Sequence, residues 1–294
     1  SGDYRSFEFR IANDIYNNAI LRNTLSYFYL NRSGCDIEEQ YITSGDKSSL
    51  SHEACYKCSE ELVPAQDAWI DDYYYGGSVS QHSTVSRKVS GGWHDAADHR
   101  QNVVSGGSAL WTLLNMYEMD RKKMEGINCI SKFASAASLM SVPESGNRVP
   151  DILEEAAYEL DWMSQMVVKP DEPEWGEYAG MVYHSLQDHR WTGLATVPWD
   201  YENEWGTVRI VKPPSFAATL NYAACAAQAA RLWKPYDSEK AAKYLSEAKN
   251  AYEAFEKNWY QADMTGEVHP FYGYLCSSED LNKKSLYVSA DENQ

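Results

Sequence analysis

The sequence predicts an all-α domain with one elaborated end that carries the site. Three observations predict it. Segments with apolar residues at helical spacing recur along the chain. Strand signals are sparse. Two long stretches without helical period, 32–104 and 169–213, are rich in Gly, Ser, Asp and aromatic residues, and loop regions this long inside a globular chain are usually functional.

The elements follow in order. Over 14–31, Ile15, Ala19, Leu25, Phe28 and Tyr29 keep mostly helical spacing. Helix returns over 105–120, with Leu110, Leu113, Leu114 and Tyr117 on one side. The clearest amphipathic helix covers 150–167. Pro150 suits its first turn, Asp151 its positive end, and Ile152, Leu153, Ala156, Leu160, Met163 and Met166 form the buried stripe. Over 215–233 the chain is small and apolar nearly all round, with Ser215 as N-cap, which predicts burial on most sides. A surface helix over 238–259, capped by Asp237 or Ser238, is expected to face inward with Leu245, Ala248, Tyr252, Phe255 and Trp259. Weaker helical signals lie near 131–140.

Length and charge bound the function. The 294 residues suffice for one large domain or two ordinary ones, with a core that needs no disulfides. The net charge is −17 and no basic stripe occurs, which argues against nucleic acid or an anionic membrane surface as partner. A neutral polar carbohydrate is compatible. The 22 Tyr and 10 Trp suit sugar faces, although most such rings serve a core. No apolar run reaches membrane-spanning length, and no signal peptide opens the chain. Of six cysteines, Cys225 reads as a small core residue, and Cys129 and Cys276 have no sequence-near partner. Cys55 and Cys58 form a C-x-x-C with Cys35 upstream, a spacing that leaves open a zinc site, a disulfide or three buried thiols.

The richest stretch is 91–99, Gly-Gly-Trp-His-Asp-Ala-Ala-Asp-His. If Asp95 and Asp98 share a helical turn, their Cβ atoms lie about 5–6 Å apart. Both can then hold one water, one accepting its proton and the other orienting it. Inverting glycoside hydrolysis also needs an acid roughly 6.5–9.5 Å from the base, across the scissile bond. Two acids on one face cannot supply it, so a third carboxylate is expected from elsewhere. D-x-x-D alone is also common on solvated turns.

Gly91–Asp98 resembles the G-G-W-[HY]-D-A-G-D signature of glycoside hydrolase family 9. Further likeness lies in Arg32-Ser33-Gly34, Asp151–Met163, and Pro214–Asn221 with the helix that follows. Phe9–Asp14 is similar to the start of the catalytic module in members with an N-terminal immunoglobulin-like domain. The match runs in order over most of 9–260. The resemblance implies an (α/α)6 barrel, only partly covered by this chain, with long loops forming the active-site face. It implies inverting hydrolysis of β-1,4-glucans with no catalytic cofactor, and secretion. Asp98 matches the general base and Asp95 its partner. Trp93 would line the cleft, and His184, His189 and Trp191 match loop residues that contact glucose units.

The same resemblance implies a structural zinc held by cysteines and the signature His. The pattern is shifted here: Ser33 and Tyr56 stand where Cys and His are usual, so the expected ligands are Cys35, Cys55, Cys58 and His94, which suit zinc. Calcium is the other cation the Asp-rich loops could take, without a recognisable calcium spacing. Ala97 replaces a usual Gly. The family's general-acid Glu lies near its C-terminus, and Asn203-Glu204 sits in the wrong region to be it. Residues 1–294 are therefore expected to be one incomplete catalytic domain. The remainder of the module, supplying the acid, lies in a further segment or chain. Competing readings are a non-catalytic carbohydrate-binding or scaffold relative and, more remotely, a metal-dependent His-Asp phosphohydrolase, whose further ligands would have to come from His52, His82 or His99, all in or beside loops.

Overall fold

A computed structural model of the protein describes residues 5–11, 18–56, 63–66, 82–95, 99–124, 140–172, 175–188, 196–200 and 209–265. Helices dominate. They are α1 (Asn18–Leu30), the single turn α2 (Lys47–Leu50), α3 (Val103–Met124), α4 (Asp151–Gln165), α5 (Phe216–Trp233) and α6 (Ser238–Thr265), with 3-10 turns at Glu39–Tyr41 and Gly176–Tyr178. The segment near 131–140 lies almost wholly outside the described residues. Leu110, Leu113, Leu114 and Tyr117 of α3 are buried as expected. Ser215 caps α5 by accepting from the Ala218 amide at 3.0 Å, and Asp237 caps α6 by accepting from the Glu239 and Lys240 amides. Each cap satisfies donors that a helix start leaves unpaired.

Two expectations need correction. The first is the inward face of α6. Leu245 and Tyr252 are 45% and 49% exposed, whereas Ala241, Tyr244, Ala248, Ala251 and Ala254 are buried. The largest helix–helix contact is between α5 and α6, where alanines on both allow close approach. Ala248, Phe255 and Trp259 do face inward as expected, with Phe255 and Trp259 packing on Phe216 of α5 at 5.5 and 5.3 Å between ring centroids. The second concerns the long loop regions, which carry short strands: β1 (Val63–Gln66), β2 (His82–Arg87), β3 (Gln101–Asn102), β4 (Val182–Tyr183), β5 (Ser185–Asp188), β6 (Arg209–Val211) and β7 (Pro214–Ser215). Five of them form one sheet in the order β2-β1-β6-β5-β3, and β4 pairs with β7. The pairings β3–β5 and β5–β6 are antiparallel, with Asp188 opposite Arg209. Six of these seven strands have only two to four residues, too few to show a period of two, so the sequence pattern hid them. This sheet sits at the start of α3 and fixes the segment just after the signature loop.

Candidate active site

The signature enters through two left-handed glycines, Gly91 (φ 86) and Gly92 (φ 77). A methyl group on Gly92 would come within 2.6 Å of Trp162 Cγ and of Gln101 Nε2, so neither the conformation nor the space admits a side chain. The chain beyond lies against residues 31–33. Ser33 N donates to Gly92 O at 2.8 Å, and His94 N donates to Asn31 O at 2.9 Å.

Trp93 does not line an open cleft. It is 5% exposed, packs on Phe28 at 4.7 Å between ring centroids, and donates its indole N–H to Glu155 Oε1 at 2.8 Å. Its backbone amide donates to Glu159 Oε2 at 2.7 Å. Glu155 and Glu159 stand one turn apart on α4, so a single helix face grips one residue of the loop twice. Arg32 completes the buried cluster. Its guanidinium meets Glu155 at 3.0 Å, meets Glu144 at 3.0 Å, and lies 4.2 Å over the Tyr158 ring. Burial works against the Arg32 charge, but Glu155 and Glu144 more than offset it and hold it in the charged form. Glu155 is pushed up by burial while Arg32 pulls it back. Among the described residues Glu159 meets no such cation. Burial pushes its carboxyl up to about 8, with the Trp93 amide opposing and the charges of Asp95 and Glu155 adding.

Asp95 stands at the mouth of the loop. Its amide donates to Arg100 O at 2.9 Å, closing residues 95–100 into a hydrogen-bonded excursion. Its Oδ2 accepts from Ser105 Oγ in the first turn of α3 at 2.9 Å, where the helix dipole favours negative charge. Asp98 and Ala97 lie outside the described residues, so the expected shared turn of the two aspartates does too. The described flank is not helical: His99 is left-handed, with φ 56.

Around His99 a buried polar network gathers. Tyr56 donates its hydroxyl to Asp188 Oδ2 at 2.7 Å and lies 3.2 Å from His99 Nδ1. His99 Nε2 faces the Thr196 carbonyl. Arg209 donates to His99 O at 2.6 Å and to Gln101 Oε1 at 2.9 Å, and stacks 4.1 Å over the Tyr56 ring.

The cysteine cluster is partly assembled. Cys55 Sγ lies 3.4 Å from His94 Nε2, and His94 Nδ1 faces the His99 carbonyl at 3.1 Å. A carbonyl only accepts, so Nδ1 carries the proton and Nε2 turns its lone pair toward the thiol. Desolvation, with Arg209 nearby, pushes the His94 imidazole down to about 3, so it is neutral, as a metal ligand must be. Cys35 is half-buried beside Tyr158, burial raising its thiol. Cys58 lies outside the described residues. Among the described residues no group of three His, Cys, Asp or Glu side chains gathers for a metal.

Of the expected glucose contacts, His184 is 1% exposed, with Nδ1 2.8 Å from Ser215 Oγ. It braces the start of α5 rather than an open cleft. His189 and Trp191 lie outside the described residues. Sequence reading missed Glu155, Glu159, Tyr56, Asp188 and Arg209 as parts of the site. The available signals were two acids four apart on a helix with a large apolar face, and an Asp and an Arg within the second loop region.

A family model, glycosyl hydrolase family 9, matches residues 16–290. The chain is 39% identical over 256 residues to a cellulose 1,4-beta-cellobiosidase from Acetivibrio thermocellus, covering 86% of this chain and 27% of that protein. It is 39% identical over 251 residues to endoglucanase C from Cellulomonas fimi, covering 85% of this chain and 21% of that protein. It superposes on the crystal structure of a metagenome-derived glycoside hydrolase family 9 endoglucanase with a TM-score of 0.58 and 26% identity, over 82% of this chain and 36% of that one. The chain thus spans about a third or less of these relatives, and its helices are part of an (α/α)6 barrel. On the signature loop, the barrel helices and a match along nearly its whole length, the chain belongs to glycosyl hydrolase family 9.

Proposed function

We propose that residues 1–294 are the N-terminal part of a catalytic domain that hydrolyses β-1,4-glucosidic bonds in cellulose or a related β-glucan, with inversion. The observation that carries this reading is the construction of the Trp93–Asp95 segment. Two buried carboxyl groups on α4 hold it from below, and the Asp95–Arg100 hydrogen bond closes the excursion that contains Asp98. Such rigid support is what a water-positioning acid pair requires.

In this mechanism Asp98 takes the proton of a water that attacks the anomeric carbon. Asp95, oriented by Ser105, fixes that water. The glycosidic C–O bond breaks as a glutamic acid from outside these residues protonates the leaving oxygen. Trp93 and His184 support the site from the core, and His189 and Trp191 contact glucose units from the second loop region. Cys55 and His94, with Cys58, would hold a zinc whose contribution is structural, tying the cysteine loop to the signature; Cys35, set beside Tyr158, does not gather with Cys55 and His94. A polymeric substrate places the protein outside the cell. Among the described residues no helix is long and apolar enough to cross a membrane.

The test uses the full-length enzyme. It should release reducing ends from carboxymethylcellulose and cello-oligosaccharides, and Asp98→Ala should lower turnover by roughly 10²–10⁴-fold, the usual contribution of a general base. Binding of cello-oligosaccharides without turnover by the wild-type enzyme would favour a non-catalytic carbohydrate-binding relative instead.

A further inference from the structure

Among the described residues only two non-glycine residues adopt positive φ, Tyr56 (φ 46) and His99 (φ 56), and their side chains touch. Left-handed backbone is costly for side chains of this size and persists where surrounding contacts over-determine it, most often at functional sites. The surroundings here are of that kind. The Tyr56 hydroxyl bridges Asp188 and His99, Arg209 caps the Tyr56 ring, and Arg209 also binds the His99 carbonyl. Asp188 and Arg209 are paired across β5 and β6, with Arg209 Nε 3.3 Å from Asp188 Oδ1. The sheet therefore presents both charges as one rigid unit.

We infer that Tyr56, His99, Asp188 and Arg209 form a buried clamp that positions Asp98, with the Tyr56 hydroxyl as its central link. The inference rests on the proposed role of Asp98 as general base. Consecutive Cα atoms are about 3.8 Å apart, so pinning His99 restricts where the preceding residue can stand. The other end of the excursion is fixed by the Asp95–Arg100 bond. Tyr56 comes from the cysteine loop, so the clamp also couples that loop to the signature. In the expected family pattern this position is a histidine that joins a metal, whereas here a hydroxyl makes the connection by hydrogen bonds. These are positioning residues: none is argued to touch substrate.

The experiment compares wild type, Asp98→Asn, Tyr56→Phe and His99→Asn in the full-length enzyme with cellotetraose. Tyr56→Phe removes only the hydroxyl. His99→Asn keeps a residue that tolerates left-handed backbone and removes the ring. The expected result is a fall in kcat of about 10-fold or more with KM within about twofold and melting temperature nearly unchanged, as for a mis-set reacting group. Unchanged kcat in the folded Tyr56→Phe enzyme, while Asp98→Asn abolishes turnover, overturns the clamp alone. Turnover retained by Asp98→Asn overturns the proposed function and the clamp with it. If Tyr56→Phe does not fold, His99→Asn decides by the same criteria. Failure of both to fold assigns these residues to the fold only and overturns the inference.

Discussion

At Trp93 the backbone amide and the indole nitrogen both donate to carboxyl groups of α4, and the two groups differ in charge balance. Glu155 faces Arg32, whereas Glu159 has burial and neighbouring acids around it. The ordinary glutamate value of 4.5 applies to the unfolded chain, and about 8 to the folded one. Between these values the folded state holds a proton that the unfolded state has released. Folding stability contributed by this site is therefore fully present below about 4.5 and is lost as pH rises toward about 8. Glu159→Gln keeps an acceptor for the Trp93 amide and removes the titration. Urea unfolding at a series of pH values should show the wild type losing stability across that window and the variant losing clearly less. Equal slopes would contradict this account of Glu159. None of it was legible beforehand: in D-I-L-E-E-A-A-Y-E nothing along the chain shows what Glu155 and Glu159 face. Only the fold shows that α4 is buried on both the face of these acids and the apolar one. By contrast, the glycine pair at 91 and 92 leading into an acid-bearing stretch was visible in the motif.

Helix boundaries and caps were readable because they rest on local chemistry, as with Ser215 and Asp237. The facing of α6 was legible in part: Ala248, Phe255 and Trp259 face inward, whereas Leu245 and Tyr252 do not, because a pattern rule favours large apolar residues while much of the partner surface is the alanine-rich α5. Substitutions separate the two assignments. Leu245→Ser should change unfolding free energy by less than about 0.5 kcal/mol, as at an exposed position. Ala251→Leu should cost about 1–3 kcal/mol by overpacking the buried face of α6, which the sequence pattern did not assign to Ala251. Chemical denaturation of both variants checks this, and a large loss for Leu245→Ser with none for Ala251→Leu would restore the sequence-based facing. The short strands escaped notice for a related reason. Pairs such as Asp188 with Arg209 are set by register across the sheet and not by any pattern along the chain.

Over the whole molecule, the all-α class and the family signature were legible, because helical period and motif chemistry extend over many residues. The supporting shell was not, since Arg32 meets Glu155 across more than a hundred residues of sequence and Tyr56 meets Asp188 likewise. The net charge of −17 fits a neutral saccharide better than an anionic partner. In the proposed mechanism a water held by Asp95 and Asp98 attacks the anomeric carbon from the face opposite the leaving group. Proton NMR of cellopentaose hydrolysis by the full-length enzyme, followed from the first turnovers, decides whether it does. New reducing ends should appear first as the α-anomer and then mutarotate. First appearance of the β-anomer would rule this mechanism out.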